Sequence, residues 1–145
     1  MNQTPFETAR KMMVDCQIRP SKVTDQNVLD AFLTVPREAF VSKHQQAVAY
    51  IDEDLPLSNG RNLMEPMVLA RLVQALEIRA GDNVLVVGAA SGYGSAIIAH
   101  LAGSVIAVET RAQTVEKAQE TLVAHGIDNA AVVKSRLVDG YADEG

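Results

Sequence analysis

The sequence predicts an α/β protein: a helical N-terminal segment over residues 1–80, then the first half of a doubly wound parallel sheet in three αβα layers over 81–145. Three observations carry this reading. Ahead of Pro36, and again after Pro66, apolar residues recur at helical spacing. After Gly81 the pattern changes to short, unbroken apolar runs, NVLVVG (83–88), SVIAVE (104–109) and AAVVKS (130–135), separated by helical stretches. Between the first run and its helix lies a loop of small residues, GAASGYG (88–94).

Each element has a local cause. In TPFE (4–7), Thr4 can cap, Pro5 suits the first helical position and Glu7 can reach back to the cap amide. That helix should run to about Gln17, because Pro20 and Ser21 mark a break. In DQNVLDAFLTV, Val28, Leu29, Phe32 and Leu33 share one helical face, and Pro36 closes the helix. A short helical piece is expected around Arg37 to Val41. Residues 46–66 read as irregular, with Pro56, Ser58, Asn59, Gly60 and Asn62 close together. Pro66 opens a helix whose apolar face is Val68, Leu69, Leu72, Val73 and Leu76. Residues 83–88 read as a fully buried strand, and a helix follows from about Ser95 to Leu101. Thr110 and Gln113 suggest a capping box for the next helix, which ends at His125 and Gly126, where a cation suits the dipole.

Composition narrows the function. At 145 residues and 48% hydrophobic content, the chain has the length of one domain with a real core. A net charge of −5 with no cluster of Lys and Arg argues against a nucleic-acid surface. The N-terminus has no apolar run of signal-peptide length and nothing approaches a membrane span, so a soluble cytoplasmic protein is expected. The single cysteine, Cys16, excludes an internal disulfide and is expected to be buried in MMVDCQI. His44, His100 and His125 are too scattered for a metal site, so none is expected. Met12, Met13, Met64 and Met67 read as packing residues, Tyr93 as either packing or covering a ligand, and the ADEG tail as solvated loop.

The loop after the first strand is the candidate binding site. In a sheet of this kind the ligand lies at the carboxyl ends of the strands, where small side chains let backbone amides approach it. Gly88, Ala89, Ala90, Ser91 and Gly92 meet that need. Glu109, at the end of the next strand and about 20 residues on, is placed to accept hydrogen bonds from ribose hydroxyls. Together they argue for a nucleoside-bearing cofactor; the alternative is a small-residue turn that only lets the helix pack. The dinucleotide pattern G-x-G-x-x-G fails, because Ala90 and Tyr93 stand at its other glycine positions, and no phosphate loop of the lysine type is present. The spacing of Gly88 and Gly92 fits better with the G-x-G-x-G of S-adenosylmethionine-binding methyltransferases.

The order VPREAFV (35–41), AYIDEDLPL (49–57), GRNLMEP (60–66), VLVVGAASGYGSA (84–96), VIAVE (105–109) and VDG (138–140) resembles the protein-L-isoaspartate O-methyltransferase family, from roughly residue 10 to 141. The resemblance implies a Rossmann-like methyltransferase sheet, S-adenosylmethionine as cofactor, and methyl transfer to the α-carboxylate of isoaspartyl residues in damaged proteins or peptides. It also implies that Gly88 to Gly92 face the methionine part of the cofactor, Glu109 the ribose, and Asp139 with Gly140 the adenine. Residues 50–66, including Arg61, Asn62 and Leu63, would wall the cofactor from the substrate.

The chain departs from the family pattern at four places. Val86 stands for the acid two residues before the first glycine, Ala90 for the middle glycine, and Val138 for the glycine before Asp139. Met64 stands where the family carries a catalytic serine or threonine, and a thioether cannot donate a hydrogen bond. An altered or weakened acceptor site is therefore expected, with two further readings: a related methyltransferase with another acceptor, or a non-catalytic cofactor-binding module. Three strands are fewer than a complete sheet of this class, so the first strand should keep an open edge. A fragment of a longer protein, or self-association through that edge, is expected.

Overall fold

The computed structural model describes residues 2–142, with Asn59 described by its backbone alone. The acidic positions of the tail, 143–145, lie outside the described residues. The chain forms two compact units, the first ending at Ile78 and the second beginning at Arg79.

The first unit is helical apart from one small hairpin. Helix α1 spans Pro5–Met13, and its capping box is formed, with Glu7 N–H donating to Thr4 Oγ1 at 3.1 Å and Thr4 N–H to Glu7 Oε2 at 2.7 Å. The helical path continues as a π-turn (Val14–Ile18) and a 3-10 turn (Arg19–Ser21), so it runs past Gln17 before breaking at Lys22. Helix α2 (Gln26–Thr34) is capped by Asp25 and buries Val28, Leu29, Ala31 and Phe32. Short 3-10 turns follow at Arg37–Phe40 and Lys43–Val48.

The stretch expected to be irregular contains strands β1 (Leu55–Pro56) and β2 (Asn62–Leu63), paired antiparallel around a 3-10 turn at Ser58–Gly60. Helix α3 (Pro66–Ala75) starts at its proline as expected. Its buried positions are Pro66, Ala70 and Val73, while Leu72 and Leu76 are 51% and 61% exposed. The apolar stripe is thus wider than the seam that packs.

Two other expectations for this unit are corrected. Cys16 is exposed, because the π-turn shifts the buried stripe onto Val14 and Ile18. Met12 is 60% exposed whereas Met13 is 1% exposed, so only one of that pair packs.

A polar network ties these pieces together. Arg10 Nη2 pairs with Glu38 Oε1 at 2.9 Å, and Arg10 Nε donates to Tyr50 Oη at 2.9 Å. The Tyr50 hydroxyl donates to Glu38, and Gln17 Nε2 donates to the Tyr50 carbonyl at 2.8 Å. Burial pushes the Tyr50 hydroxyl well above the usual phenol range, against the opposing pull of Arg10's N–H.

The second unit carries the parallel sheet. Strands β3 (Asn83–Val87), β4 (Ser104–Glu109) and β5 (Ala130–Lys134) lie in the order β3-β4-β5, joined by helices α4 (Tyr93–Leu101) and α5 (Ala112–Ala124). Strand β4 is central, and Val105, Ala107 and Val108 are buried. Helix α4 begins two residues before the expected start and buries Ala96, Ile97, Ile98 and Ala99. No capping box forms on α5: Arg111 is the N-cap residue, and Thr110 Oγ1 turns instead to Glu109 Oε1 at 3.3 Å. Helix α5 ends through His125 and a left-handed Gly126, φ +72°.

Strand β3 is not fully buried, which corrects the reading of 83–88. It sits at the sheet edge with Leu85 46% and Val87 53% exposed, on one face of the pleat. An unpaired, apolar edge favours pairing with another chain. The 145-residue chain is expected to self-associate as its concentration rises, and Leu85→Glu to shift it toward monomer in sedimentation velocity. A wild-type chain that stays monomeric throughout contradicts this.

The raised Tyr50 hydroxyl gives a second expectation. The unfolded chain releases that proton before the folded one, so stability contributed by neutral Tyr50 is present below about pH 10 and falls as pH rises above it. Denaturant titrations between pH 8 and 11 should show this loss in the wild type and a shallower one in Tyr50→Phe. Equal slopes would place the effect elsewhere.

Candidate functional site

The loop joining β3 to α4 passes through the left-handed region three times. Gly88 (φ +85°), Ala90 (φ +49°) and Gly92 (φ +96°) alternate with residues of ordinary backbone. This is why small residues at every second position are required: an L side chain in that region costs roughly 1–2 kcal/mol. Ala90 bears that cost, and a specific hydrogen bond offsets it. The Ala90 N–H donates to Glu109 Oε2 at 2.8 Å, across from the end of β4.

Glu109 is 2% exposed, and its other carboxylate oxygen accepts from the Thr110 N–H at 2.9 Å and from the Thr110 hydroxyl. A carboxylate has room for about four such bonds, so a buried one is tolerated where donors converge on it. The loop is further held by the Val108 carbonyl, which accepts from both Gly88 N and Ala89 N at 3.0 Å, and by Gly92 N donating to Ala89 O at 2.9 Å. Gly92 is then the N-cap of α4.

The residues fit a nucleoside-bearing cofactor on three observations. A Cβ added at Gly88 would meet nothing within 4 Å, so the loop presents open space over its backbone. The Ser91 hydroxyl is buried and makes no hydrogen bond among the described residues, as expected of a group awaiting a ligand. Glu109 brings a carboxyl acceptor to the carboxyl end of the sheet. Tyr93 is 1% exposed and packs into the unit. Among the described residues no group of His, Cys, Asp and Glu could hold a metal ion.

Asp139 and Gly140 follow β5. Gly140 (φ +58°) lies against β3, where a Cβ would meet Leu85 Cδ2 at 3.6 Å, and its carbonyl accepts from Ser135 Oγ at 3.0 Å. Asp139 is exposed and pairs with Arg136 at 3.3 Å. The structure thus joins Ala90 of the loop directly to Glu109, and places Gly140, but not the Asp139 carboxylate, against the strand that precedes the loop.

The loop 60–66, which the family resemblance would set on the acceptor side, belongs to the first unit. Leu63 is buried, whereas Asn62 is exposed and Met64 is 37% exposed, so Met64 is not a packing residue. Gly60 turns the chain with φ +74°, and Arg61 O accepts from Leu57 N at 2.7 Å.

Two residues near this loop escaped the sequence reading. Arg37 is 0% exposed and is among the largest fully buried side chains of the molecule. Its Nε donates to Ala49 O at 2.5 Å and its Nη2 to Met64 O at 3.0 Å. Asp54 Oδ1 accepts from the Glu65 N–H at 2.7 Å. An arginine set within the apolar run VP-R-EAFV was the one available signal for the first.

Comparison with known proteins accords with this arrangement. The family model of protein-L-isoaspartate(D-aspartate) O-methyltransferase matches residues 8–145. A protein-L-isoaspartate O-methyltransferase 2 of an Anaeromyxobacter species is 41% identical over 135 residues, 93% of this chain and 54% of that protein. A protein-L-isoaspartate O-methyltransferase of Methanoculleus marisnigri is 37% identical over 144 residues, 99% of this chain and 66% of its own length. The chain therefore spans about half to two thirds of the length of these relatives. A solved protein-L-isoaspartate O-methyltransferase superposes with a TM-score of 0.81 at 23% identity, covering 91% of this chain and 44% of that one. A SAM-dependent O-methyltransferase of Thermotoga maritima shares the fold at a TM-score of 0.52 and 19% identity, over 63% of this chain and 43% of that one.

The three left-handed positions make a direct expectation for stability. Ala90→Gly should stabilise the chain by roughly 0.5–1 kcal/mol, the relief of the left-handed cost less the entropy of glycine. Gly88→Ala, in open space, should destabilise it by roughly 1 kcal/mol. Chemical denaturation of both variants checks this; a destabilising Ala90→Gly would mean that residue 90 is not held left-handed.

Proposed function

The chain belongs to the protein-L-isoaspartate(D-aspartate) O-methyltransferase family, and from that membership we propose that it transfers a methyl group to the α-carboxylate of L-isoaspartyl residues in damaged proteins or peptides. The family and its structural neighbours imply S-adenosylmethionine as the cofactor, which supplies an electrophilic methyl group. The observation that carries the reading is the loop itself: three left-handed positions, the middle one of which, Ala90, is bonded to a buried carboxylate at the carboxyl end of the sheet. Gly88 to Gly92 would admit the methionine part through their backbone, Glu109 would accept from the ribose hydroxyls, and Asp139 with Gly140 would lie beside the adenine.

The acceptor carboxylate is already a competent nucleophile, so this chain's own residues have to position it and offset its charge. Arg61 and Asn62 carry donors in the loop assigned to that task. Glu65 adds a negative charge beside them, and Met64 adds no donor. Those two residues favour a second reading, a related methyltransferase whose acceptor does not need a hydroxyl at position 64. Cytoplasmic residence is consistent with a single, exposed, unpaired cysteine and with the absence, among the described residues, of a helix long and apolar enough to cross a membrane.

Restoring a hydroxyl tests the acceptor. A hydrogen bond to a charged group is worth roughly 1.5–3 kcal/mol, or about 10- to 150-fold in rate if it is made in full in the transition state. In a chain long enough to complete the sheet, Met64→Ser is expected to raise methyl ester formation on an isoaspartyl peptide by at least about tenfold, measured with labelled cofactor at saturating peptide. A fast wild type that serine does not improve would show that Arg61 or Asn62 replaces the hydroxyl. In that longer chain, cofactor binding without turnover in either form would exclude isoaspartate as the acceptor.

A further inference from the structure

The peptide group that joins Met64 to Glu65 is held at both of its polar atoms. Its oxygen accepts from Arg37 Nη2 at 3.0 Å, and its N–H donates to Asp54 Oδ1 at 2.7 Å. Both partners are charged side chains, and charge-assisted bonds are roughly twice as strong as neutral ones.

The flanking chain is fixed as well. On one side, Leu63 pairs with Leu55 in the hairpin of β1 and β2. On the other, Glu65 has the extended conformation (φ −55°, ψ 145°) that a following proline imposes, and Pro66 begins α3. The rotation about the Cα–C bond of residue 64 is then set by the orientation of the 64–65 peptide plane. With the preceding residue paired and that plane held, the direction in which side chain 64 leaves the loop is determined.

We propose that Arg37 and Asp54 are positioning residues for position 64: together they orient the Met64–Glu65 peptide and thereby aim side chain 64 at the acceptor. The proposal rests on the reading of loop 60–66 as the acceptor side. Arg37 is suited to this because it cannot swing. Its guanidinium is also anchored to Ala49 O, and its main-chain N–H donates to Tyr50 Oη at 3.1 Å, where the Arg10–Glu38–Tyr50 network begins. A planar fork can bridge two carbonyls in fixed geometry, which a lysine's single ammonium does not reproduce. Asp54 approaches the same plane from the exposed side and receives its N–H.

A neutral-acceptor variant and a deletion of the acceptor separate positioning from general stability. Asp54→Asn keeps a side-chain oxygen for the Glu65 amide, whereas Asp54→Ala removes it; Arg37→Lys keeps the charge but not the fork. On the full 145-residue chain with labelled amides and methionine methyls, Asp54→Ala should speed hydrogen exchange at the Glu65 amide by at least about tenfold, and Asp54→Asn by no more than about threefold. The Met64 methyl resonance should move in Asp54→Ala and Arg37→Lys, while that of buried Met13 stays in place. Methyl transfer to an isoaspartyl peptide is measured on a chain long enough to complete the sheet and carrying Met64→Ser. There, adding Asp54→Ala should lower kcat by at least about fivefold, with the dissociation constant for S-adenosylmethionine unchanged and Asp54→Asn restoring most of the loss.

Equal exchange at Glu65 in wild type and Asp54→Ala would overturn the proposal. So would a loosened amide that moves neither the Met64 methyl nor, where turnover occurs, kcat. If no form turns over, the isoaspartyl reading fails, and the exchange and methyl measurements alone decide the positioning role. The Asp54 variants are at the surface, so the test survives if Arg37→Lys does not fold.

Discussion

The bond from the Ala90 N–H to the buried Glu109 carboxylate is the constraint on which the β3–α4 loop of the second unit depends. Without it, Ala90 would have little reason to occupy the left-handed region, and the path from β3 to α4 would not be defined. With it, two things follow at once. The Ala90 N–H is paired, and a carboxylate that would be costly to bury alone gains a donor that helps make its burial tolerable. Thr110 adds its amide and hydroxyl to the same carboxylate, which explains why that residue does not cap α5.

Much of this was legible in the chain. Unbroken apolar runs 83–88, 104–109 and 130–135 are where β3, β4 and β5 lie, because parallel strands covered by helices need apolar residues on both faces. The small residues of 88–92 and an acid about 20 positions on pointed to one another, and the structure brings Ala90 and Glu109 into contact. What escaped depends on neighbours that no single stretch contains. The burial of β3 was overread because an edge strand with the same composition keeps Leu85 and Val87 exposed. Cys16 and the α3 leucines were misjudged for a related reason. Helical periodicity identifies an apolar stripe, but a π-turn or a narrow contact decides which part of the stripe is covered. Arg37 and Asp54 were invisible because their partners are backbone atoms 27 and 11 residues away.

The two units show different kinds of departure from the family pattern. In the second unit, alanine at the middle glycine position keeps the left-handed conformation at a modest energetic cost, and the bond to Glu109 offsets it. In the loop 60–66, methionine replaces a hydroxyl donor with a thioether while the peptide that follows it is held at both polar atoms.

The central claim is that the locked loop binds S-adenosylmethionine, and calorimetric titration of the chain tests it most directly. The account predicts saturable binding of S-adenosylmethionine and of S-adenosylhomocysteine by the wild type, with poor competition by NAD. It also predicts that Glu109→Ala weakens that binding by at least about tenfold, since charge-assisted contacts to the ribose and the restraint on Ala90 are lost together. No binding by a folded wild-type chain, or binding that Glu109→Ala leaves unchanged, would contradict it.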